Sequence, residues 1–133
     1  DAQESRGLGD VYKRQQQTDA KGRKLEVTLL PIPQEPVCIT QEECSELDLW
    51  DGEPTRTAGE RLAASYVNFY IANDSVLVPQ FGDPMDKTAC EILSAQFPNR
   101  TIVPIAAREI LLGGGNIHCI TQQIPLGRSS IYA

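Results

Sequence analysis

Three consecutive glycines near the end of this 133-residue chain constrain its fold more than any other feature. They are Gly113, Gly114 and Gly115, and they lead into Asn116, Ile117, His118 and Cys119. Glycine loses the most conformational freedom on folding, and it alone reaches positive φ freely or lets a backbone approach another group closely. Three glycines in a row therefore indicate a special backbone path, and that path leads to Cys119.

Cys119 is a candidate catalytic nucleophile, because an ionised thiol is strongly nucleophilic and a glycine loop before it lets a substrate approach. The alternative is a core position, since free cysteine is among the most buried residue types. A strand over 116–122 would place His118 and Cys119 on opposite faces, so the chain's single histidine could not easily deprotonate its neighbour. The base would then be a carboxylate or would come from outside this polypeptide.

Charge and composition limit the classes of partner. The formal net charge of -6 at pH 7 argues against nucleic acid and anionic lipid and is compatible with small cationic ligands. Hydrophobic residues make up 41% of the chain and charged residues 23%, as in an ordinary soluble domain. No apolar run approaches the roughly 20 residues of a membrane-spanning helix, and no signal peptide is recognisable. We therefore expect a cytoplasmic protein with no membrane partner.

The cysteines do not form a metal-binding pattern. They are scattered without a close Cys-x-x-Cys pair, at Cys38, Cys44, Cys90 and Cys119. With a single histidine beside them, we expect no metal site and no cofactor. Free thiols in a reducing compartment are the expected state, and a Cys38–Cys44 disulfide is the alternative for an exported protein.

The two ends of the chain are expected to lie outside the domain. Residues 1–17 lack apolar periodicity and are predicted to be a disordered leader. Within them, Asp10 to Gln15 resemble the translation of a sequencing-library adapter, so we interpret the leader as a cloning or assembly artefact. The domain is then expected to span 18–125, and the tail over 126–133 carries no recognisable motif.

The first half of the domain has weak patterns. Alternating apolar residues predict a strand over Arg23–Ile32, which ends at prolines. Prolines, acidic residues and a glycine predict a long loop over Pro33–Arg61. Trp50 lies in that loop, either as a surface anchor or as one wall of a pocket.

The second half has stronger patterns. Residues that favour β-structure at 66–71 and 76–78 flank turn residues and predict a β-hairpin. A helix is predicted from Asp83 or Pro84 to Phe97, followed by a short buried strand at 101–105. One or two helical turns are predicted at 107–112.

This order of strand, strand, helix and strand indicates an α/β fold. Gly113 is the natural C-cap of the last helical turns. Cys119 is then expected at the start of a further strand, at the rim of the sheet, where catalytic residues often lie.

Three segments carry long and specific motifs. They read Ser-Tyr-Val-Asn-Phe-Tyr-Ile-Ala-Asn at 65–73, Val-Pro-Gln-Phe-Gly-Asp-Pro at 78–84 and Gly-Gly-Gly-Asn-Ile-His-Cys-Ile-Thr-Gln-Gln at 113–123. Together they resemble the C-terminal part of agmatine deiminases, guanidino-modifying enzymes that are similar to bacterial-type peptidylarginine deiminases. The resemblance extends back to about Thr18. It implies a partial five-bladed, pentein-type α/β propeller built of ββαβ modules, with only its C-terminal portion present.

The resemblance also implies a hydrolase that converts agmatine and water to N-carbamoylputrescine and ammonia for the synthesis of putrescine and other polyamines. Cys119 would be the nucleophile and would form an amidino-cysteine intermediate. The active-site loop around it would comprise Gly113, Gly114, Gly115, Asn116 and His118. Motifs for the family's general base and guanidinium-binding carboxylates are not in this sequence, so we expect this chain to be inactive alone. Homo-oligomerisation of the full-length enzyme is left open.

Two other functions stay open at this point. One is a deiminase that acts on free or peptidyl arginine, and the other is a catalytically inactive fold fragment. Asp83, Asp86 and Glu109 are candidate substrate-binding acids, but a helix cap, a first helical turn and a short surface helix explain them more simply. Asn68 and Ser65 either support the pocket or satisfy backbone groups.

Overall fold

The computed structural model of the chain describes residues 16–47 and 56–124. Most of the predicted leader, Trp50 and the tail over 126–133 lie outside the described residues. The elements in chain order are α1 (Gln41–Glu46), a 3₁₀ turn (Tyr66–Asn68), β1 (Tyr70–Ile71), β2 (Ser75–Gln80), α2 (Met85–Gln96), β3 (Thr101–Ala106), α3 (Arg108–Leu112) and a second 3₁₀ turn (His118–Ile120). In this part of the chain no helix has the length and apolar character needed to cross a bilayer.

The three strands form one mixed sheet in the order β1-β2-β3. β1 pairs antiparallel with β2, with Tyr70 opposite Leu77, which confirms the predicted hairpin. Its first run, predicted over 66–71, was wrong at Tyr66–Asn68, which form a 3₁₀ turn, so the strand has only two residues. β2 pairs parallel with β3 over six residues, from Ser75 opposite Thr101 onwards. Parallel neighbours need a long crossover connection, and α2 supplies it. The α/β class predicted from the element order is therefore confirmed.

The first core cluster lies between the central strand and α2. Val76 and Val78 of β2 are fully buried and pack with Leu93 of α2, because alternate strand residues share one face. Phe69 and Phe97 close this cluster edge to face, with ring centroids 6.0 Å apart. The predicted helix is confirmed, and its C-cap is Phe97, one residue before Pro98.

A second core cluster lies under the segment that was predicted to be a loop. Ile39, Leu62 and Leu111 are buried together, so residues on both sides of 48–55 pack against α3. The prediction of a loop throughout 33–61 was wrong at α1. That helix begins with a capping box, in which the Thr40 side chain accepts the Glu43 N–H and the Glu43 carboxylate accepts the Thr40 N–H.

Two strand predictions also need correction. Arg23–Ile32 forms no strand; Lys24 makes an isolated bridge to Thr18, and the side chains of Leu29 and Ile32 are 64% and 69% exposed. An alternating pattern forms a strand only when a neighbour supplies a ladder of hydrogen bonds, and the described residues give this segment only the single bridge at Lys24. β3 forms as predicted, but none of its residues is buried, because it is the edge strand of the described sheet.

Candidate active site

The glycine run reverses the chain at the end of α3. Gly113 is the C-cap, as predicted, but its φ is −72°, which any residue adopts. The left-handed position is Gly114, with φ +91°, and its N–H donates to the Leu111 carbonyl at 3.0 Å. Only glycine takes such a φ without strain, so Gly114 lets the chain turn back after the helix.

Gly115 allows the backbone to pass close to Cys119. A Cβ at Gly115 would lie 2.9 Å from the Cys119 Cβ and 3.5 Å from its Sγ. The first distance is well inside the usual contact range of about 3.5–4.0 Å between carbon atoms. The third glycine is therefore required by the position of the thiol-bearing residue itself.

Cys119 lies in the second 3₁₀ turn, so the prediction of a strand starting at this residue was wrong. Its N–H donates to the Asn116 carbonyl at 3.0 Å, an i to i+3 bond that closes a turn instead of joining a sheet. Asn116 is buried; its Oδ1 accepts the Ile117 N–H at 2.8 Å, and its Nδ2 has no partner among the described residues. Because His118 and Cys119 lie in a 3₁₀ turn, they are not on opposite faces of a strand, as was expected from the sequence.

The Cys119 thiol is exposed, which excludes the alternative of a core cysteine. The Asn68 side-chain amide lies beside it, with Nδ2 3.4 Å from Sγ. Hydrogen bonds from the backbone of Asn116 and from the Asn68 side chain lower the pKa of the Cys119 thiol from its usual value of 9.0, because they stabilise the thiolate. A greater fraction of this sulfur is therefore ionised at neutral pH than in a free cysteine.

Asn68 belongs to a rigidly anchored segment. Tyr66, two residues earlier, is fully buried, and its hydroxyl donates to the Asp86 carboxylate at 2.6 Å. The Asn68 N–H donates to the Ser65 carbonyl at 3.2 Å, which closes the first 3₁₀ turn. Asn68 in turn accepts the His118 N–H on its Oδ1 at 2.8 Å, so this turn is joined to the turn that carries Cys119.

The candidate acids serve the scaffold. Asp86 accepts the backbone N–H groups of 81–83 as well as the Tyr66 hydroxyl. Asp83 lies one residue before the Pro84 N-cap of α2 and accepts the Met85 N–H at 2.8 Å, and it also accepts N–H groups of the 34–35 segment. Glu109 is exposed on α3. Within residues 16–47 and 56–124, none of these three carboxylates is hydrogen-bonded to Cys119.

Two depressions are lined in part by residues close to Cys119 in sequence, although Cys119 itself lines neither. A cavity of about 250 Å³ is lined by Val67, Phe69, Ile71, His118 and Gln123. A more open one of about 500 Å³ is lined by residues of the β1–β2 hairpin with Gln123 and Ile124. The described walls consist of apolar residues, uncharged polar residues and the His118 imidazole, which contacts the Tyr70 ring edge to face at 6.4 Å between centroids. A cationic substrate placed here would therefore need carboxylates from other segments.

The predicted loop residues from Gly113 to Cys119 are thus brought together, and the predicted acids lie elsewhere. All four cysteines are free thiols, and the described residues contain no group of three His, Cys, Asp or Glu side chains that could hold a metal ion. The pairing of Asn68 with Cys119 was not predicted as a specific contact. The only sequence signal for it was the position of Asn68 inside one of the three motif segments.

Comparison with known proteins places this geometry in context. The family model described as Porphyromonas-type peptidyl-arginine deiminase matches residues 5–125. The chain is 53% identical over 125 residues to a protein of Selenomonas ruminantium and 60% identical over 112 residues to one of Latilactobacillus sakei, both named "Putative agmatine deiminase". These alignments cover 94% and 84% of this chain but 34% and 30% of the relatives.

The chain also resembles about a third of a solved structure. The agmatine deiminase of Enterococcus faecalis matches with a TM-score of 0.79 and 43% identity, over 88% of this chain and 32% of that chain. The chain therefore spans about a third of the length of the relatives that it matches.

Proposed function

We propose that this chain, which belongs to the Porphyromonas-type peptidyl-arginine deiminase family, is the C-terminal portion of an agmatine deiminase. In this proposal Cys119 is the nucleophile. The names of the relatives at 53% and 60% identity support the substrate. The single observation that carries the assignment of the nucleophile is the exposed Cys119 thiol, whose pKa is lowered by hydrogen bonds from the backbone of Asn116, just after the glycine loop, and from the Asn68 side chain.

The proposed reaction proceeds in two halves. The Cys119 thiolate attacks the guanidinium carbon of agmatine and forms a C–S bond; the C–N bond to one terminal nitrogen then breaks, and that nitrogen leaves as ammonia after accepting a proton. In the second half, water adds to the carbon of the amidino-cysteine intermediate and loses a proton to a base. The hydroxyl of this adduct loses its remaining proton as the C–S bond breaks, N-carbamoylputrescine leaves, and the thiolate is regenerated. The sum is agmatine plus water giving N-carbamoylputrescine plus ammonia.

The substrate's charge fits an ionised sulfur. A guanidinium is planar, delocalised and always protonated near neutral pH, so it must be attacked on its face by a nucleophile that is already anionic. The cation itself favours the thiolate once bound. The net charge of -6 on the chain also favours the approach of a cation.

Two components of this reaction are not provided by the described residues around Cys119. His118 is adjacent in sequence, but the side-chain hydrogen bonds of Sγ are with Asn68, and no described carboxylate lines the two depressions. We assign the general base and the guanidinium-binding carboxylates to other modules of a five-bladed propeller. On this proposal the 133-residue chain alone carries the nucleophile and does not turn over substrate.

A second candidate is a deiminase of peptidyl or free arginine. The description of the matching family favours it, since it names peptidyl-arginine. Both reactions use the same attack on a guanidinium carbon, so only the part of the substrate beyond the guanidine distinguishes them.

The test uses the full-length protein that contains this chain, with Cys119→Ser and, as a matched control, Cys38→Ser. Ammonia release is measured with agmatine, free arginine and an arginine-containing peptide, and the covalent intermediate is sought by mass spectrometry after acid quenching. We expect loss of at least about 10³-fold in kcat for Cys119→Ser, as for removal of other enzyme nucleophiles, and near-normal activity for Cys38→Ser. Activity in Cys119→Ser, or an adduct on another cysteine, would refute the assignment. Greater kcat/KM for the peptide than for agmatine would favour the second candidate.

A further inference from the structure

We propose that Asn68 is a positioning residue whose side-chain amide donates a hydrogen bond to the Cys119 thiolate and fixes the turn that carries it. The inference rests on the proposed role of Cys119 as nucleophile. It concerns a contact between two residues 51 positions apart, which tertiary structure brings to 3.4 Å between Nδ2 and Sγ.

The orientation of the Asn68 amide follows from its partner. The His118 N–H can only donate, so the amide atom 2.8 Å from it must be the acceptor Oδ1. Nδ2 then faces the sulfur as a donor. A donor beside sulfur stabilises the thiolate more than the neutral thiol, because hydrogen bonds to charged groups are the stronger ones.

The anchoring of Asn68 makes this contact more than an incidental one. The residue is half-buried at the end of a 3₁₀ turn. The buried Tyr66 lies on one side of it, held to Asp86, and Phe69 on the other side packs against Phe97. A residue whose chain neighbours on both sides are anchored in this way can hold the reacting sulfur in one place, which is what effective attack on a bound substrate requires.

The same contact would act twice in the proposed reaction. Sulfur is anionic before it attacks the guanidinium carbon, becomes neutral in the amidino-cysteine intermediate, and is anionic again when the C–S bond breaks. The Asn68 amide interacts most strongly with the anionic states, so it would stabilise both the nucleophile and, in the second half, the leaving thiolate. It transfers no proton in either step.

The experiment measures the rate of Cys119 alkylation by iodoacetamide from pH 5 to 10 in the full-length protein that contains this chain, with peptide mass spectrometry to identify the labelled cysteine. Asn68→Asp keeps an acceptor for the His118 N–H but replaces the donor beside sulfur with a carboxylate. In this variant the half-point, which is the pH at which the Cys119 alkylation rate is half its maximum, is expected to rise by about one pH unit, because a like charge disfavours the thiolate. The alkylation rate at neutral pH is then expected to fall about tenfold. Asn68→Ala should shift the half-point in the same direction by less. Asn99→Asp, which adds the same charge at an exposed position after α2, should match the wild type.

Cys90 reports in the same sample whether the fold is retained, since burial raises the pKa of its thiol and slows its labelling. An unchanged Cys119 half-point in Asn68→Asp, with Cys90 still slow, would overturn the proposal. If Asn68→Asp unfolds, as shown by fast Cys90 labelling, Asn68→Ala decides: a raised half-point supports the proposal and an unchanged one overturns it.

The comparison with Cys38 separates this inference from the proposed function. A wild-type Cys119 that reacts no faster than Cys38 at neutral pH would refute the assignment of Cys119 as the activated nucleophile. A fast Cys119 that does not respond to the Asn68 variants would overturn only the role of Asn68.

Discussion

A scan of the three glycines with alanine tests the geometry of the Cys119 loop, because the structure predicts a different outcome at each position. At Gly115 the new Cβ would lie 2.9 Å from the Cys119 Cβ. The usual separation is about 3.5–4.0 Å, so the turn must move by at least about half an ångström. Overpacking of this kind costs about 1–3 kcal/mol. We expect Gly115→Ala to lower the free energy of unfolding by that amount and to displace the thiol from Asn68.

The neighbouring glycines are the matched controls. At Gly114 an alanine is expected to lower the free energy of unfolding by about 1–2 kcal/mol, because φ is +91° and a side chain strains the backbone there. The nearest atom to the new Cβ is the movable end of the Arg56 side chain, at 3.2 Å. At Gly113 φ is −72° and the nearest atom is the Ile110 carbonyl oxygen at 3.4 Å. Alanine there should be neutral or stabilise by up to about 1 kcal/mol through the unfolded state.

The assay is urea unfolding followed by circular dichroism at 222 nm, with Cys119 alkylation measured on each folded variant. Only Gly115→Ala should both destabilise the chain and change the alkylation rate by displacing sulfur directly. Equal destabilisation by Gly113→Ala and Gly115→Ala, or a neutral Gly115→Ala, would refute the argument that Gly115 is required by the position of Cys119.

Two further predictions concern the scaffold. The hydrogen bond from Arg108, with further backbone hydrogen bonding, lowers the pKa of Glu43 from 4.5 to about 2. A folded-state pKa below the unfolded one stabilises the fold above the unfolded value, and this contribution is lost as pH falls from about 4.5 to about 2. The urea midpoint of the wild type should therefore fall more steeply over that window than that of Glu43→Gln, and parallel curves would contradict the ion pair's role. Asp86→Ala should lower the free energy of unfolding by about 3 kcal/mol, because it leaves the Tyr66 hydroxyl and several N–H groups unpaired. Tyr66→Phe removes one hydrogen bond and should lower it by about 1 kcal/mol. Equal losses for the two variants in urea unfolding would contradict this.

Local sequence signals were sufficient for the elements that pack on β2. Turn residues between two runs of β-formers predicted the hairpin, and apolar spacing of three and four with a following proline predicted α2. The helix α1 was also readable, because Thr40 and Glu43 form a capping box, but the prolines and acids around it favoured a loop.

The failures share one cause. The alternating pattern of Arg23–Ile32 satisfied a local rule, yet a strand also needs a partner, and the described residues offer it only the single bridge between Thr18 and Lys24. The strand expected at Cys119 was likewise predicted from local residues alone, without a partner strand. The Asn116 carbonyl accepts its N–H instead and closes a turn.

By itself, the sequence marked Cys119 as the candidate nucleophile, through its position after the glycines and through the resemblance of the surrounding motif to agmatine deiminases, and it placed a glycine path before that residue. Tertiary structure alone decided that the thiol is exposed and that Asn68 lies beside it, 3.4 Å away across 51 positions. The physical reason is that the ionisation of a thiol depends on the donors and the solvent around it. Those donors are brought together only when the Tyr66–Asn68 turn packs against the turn after the glycines.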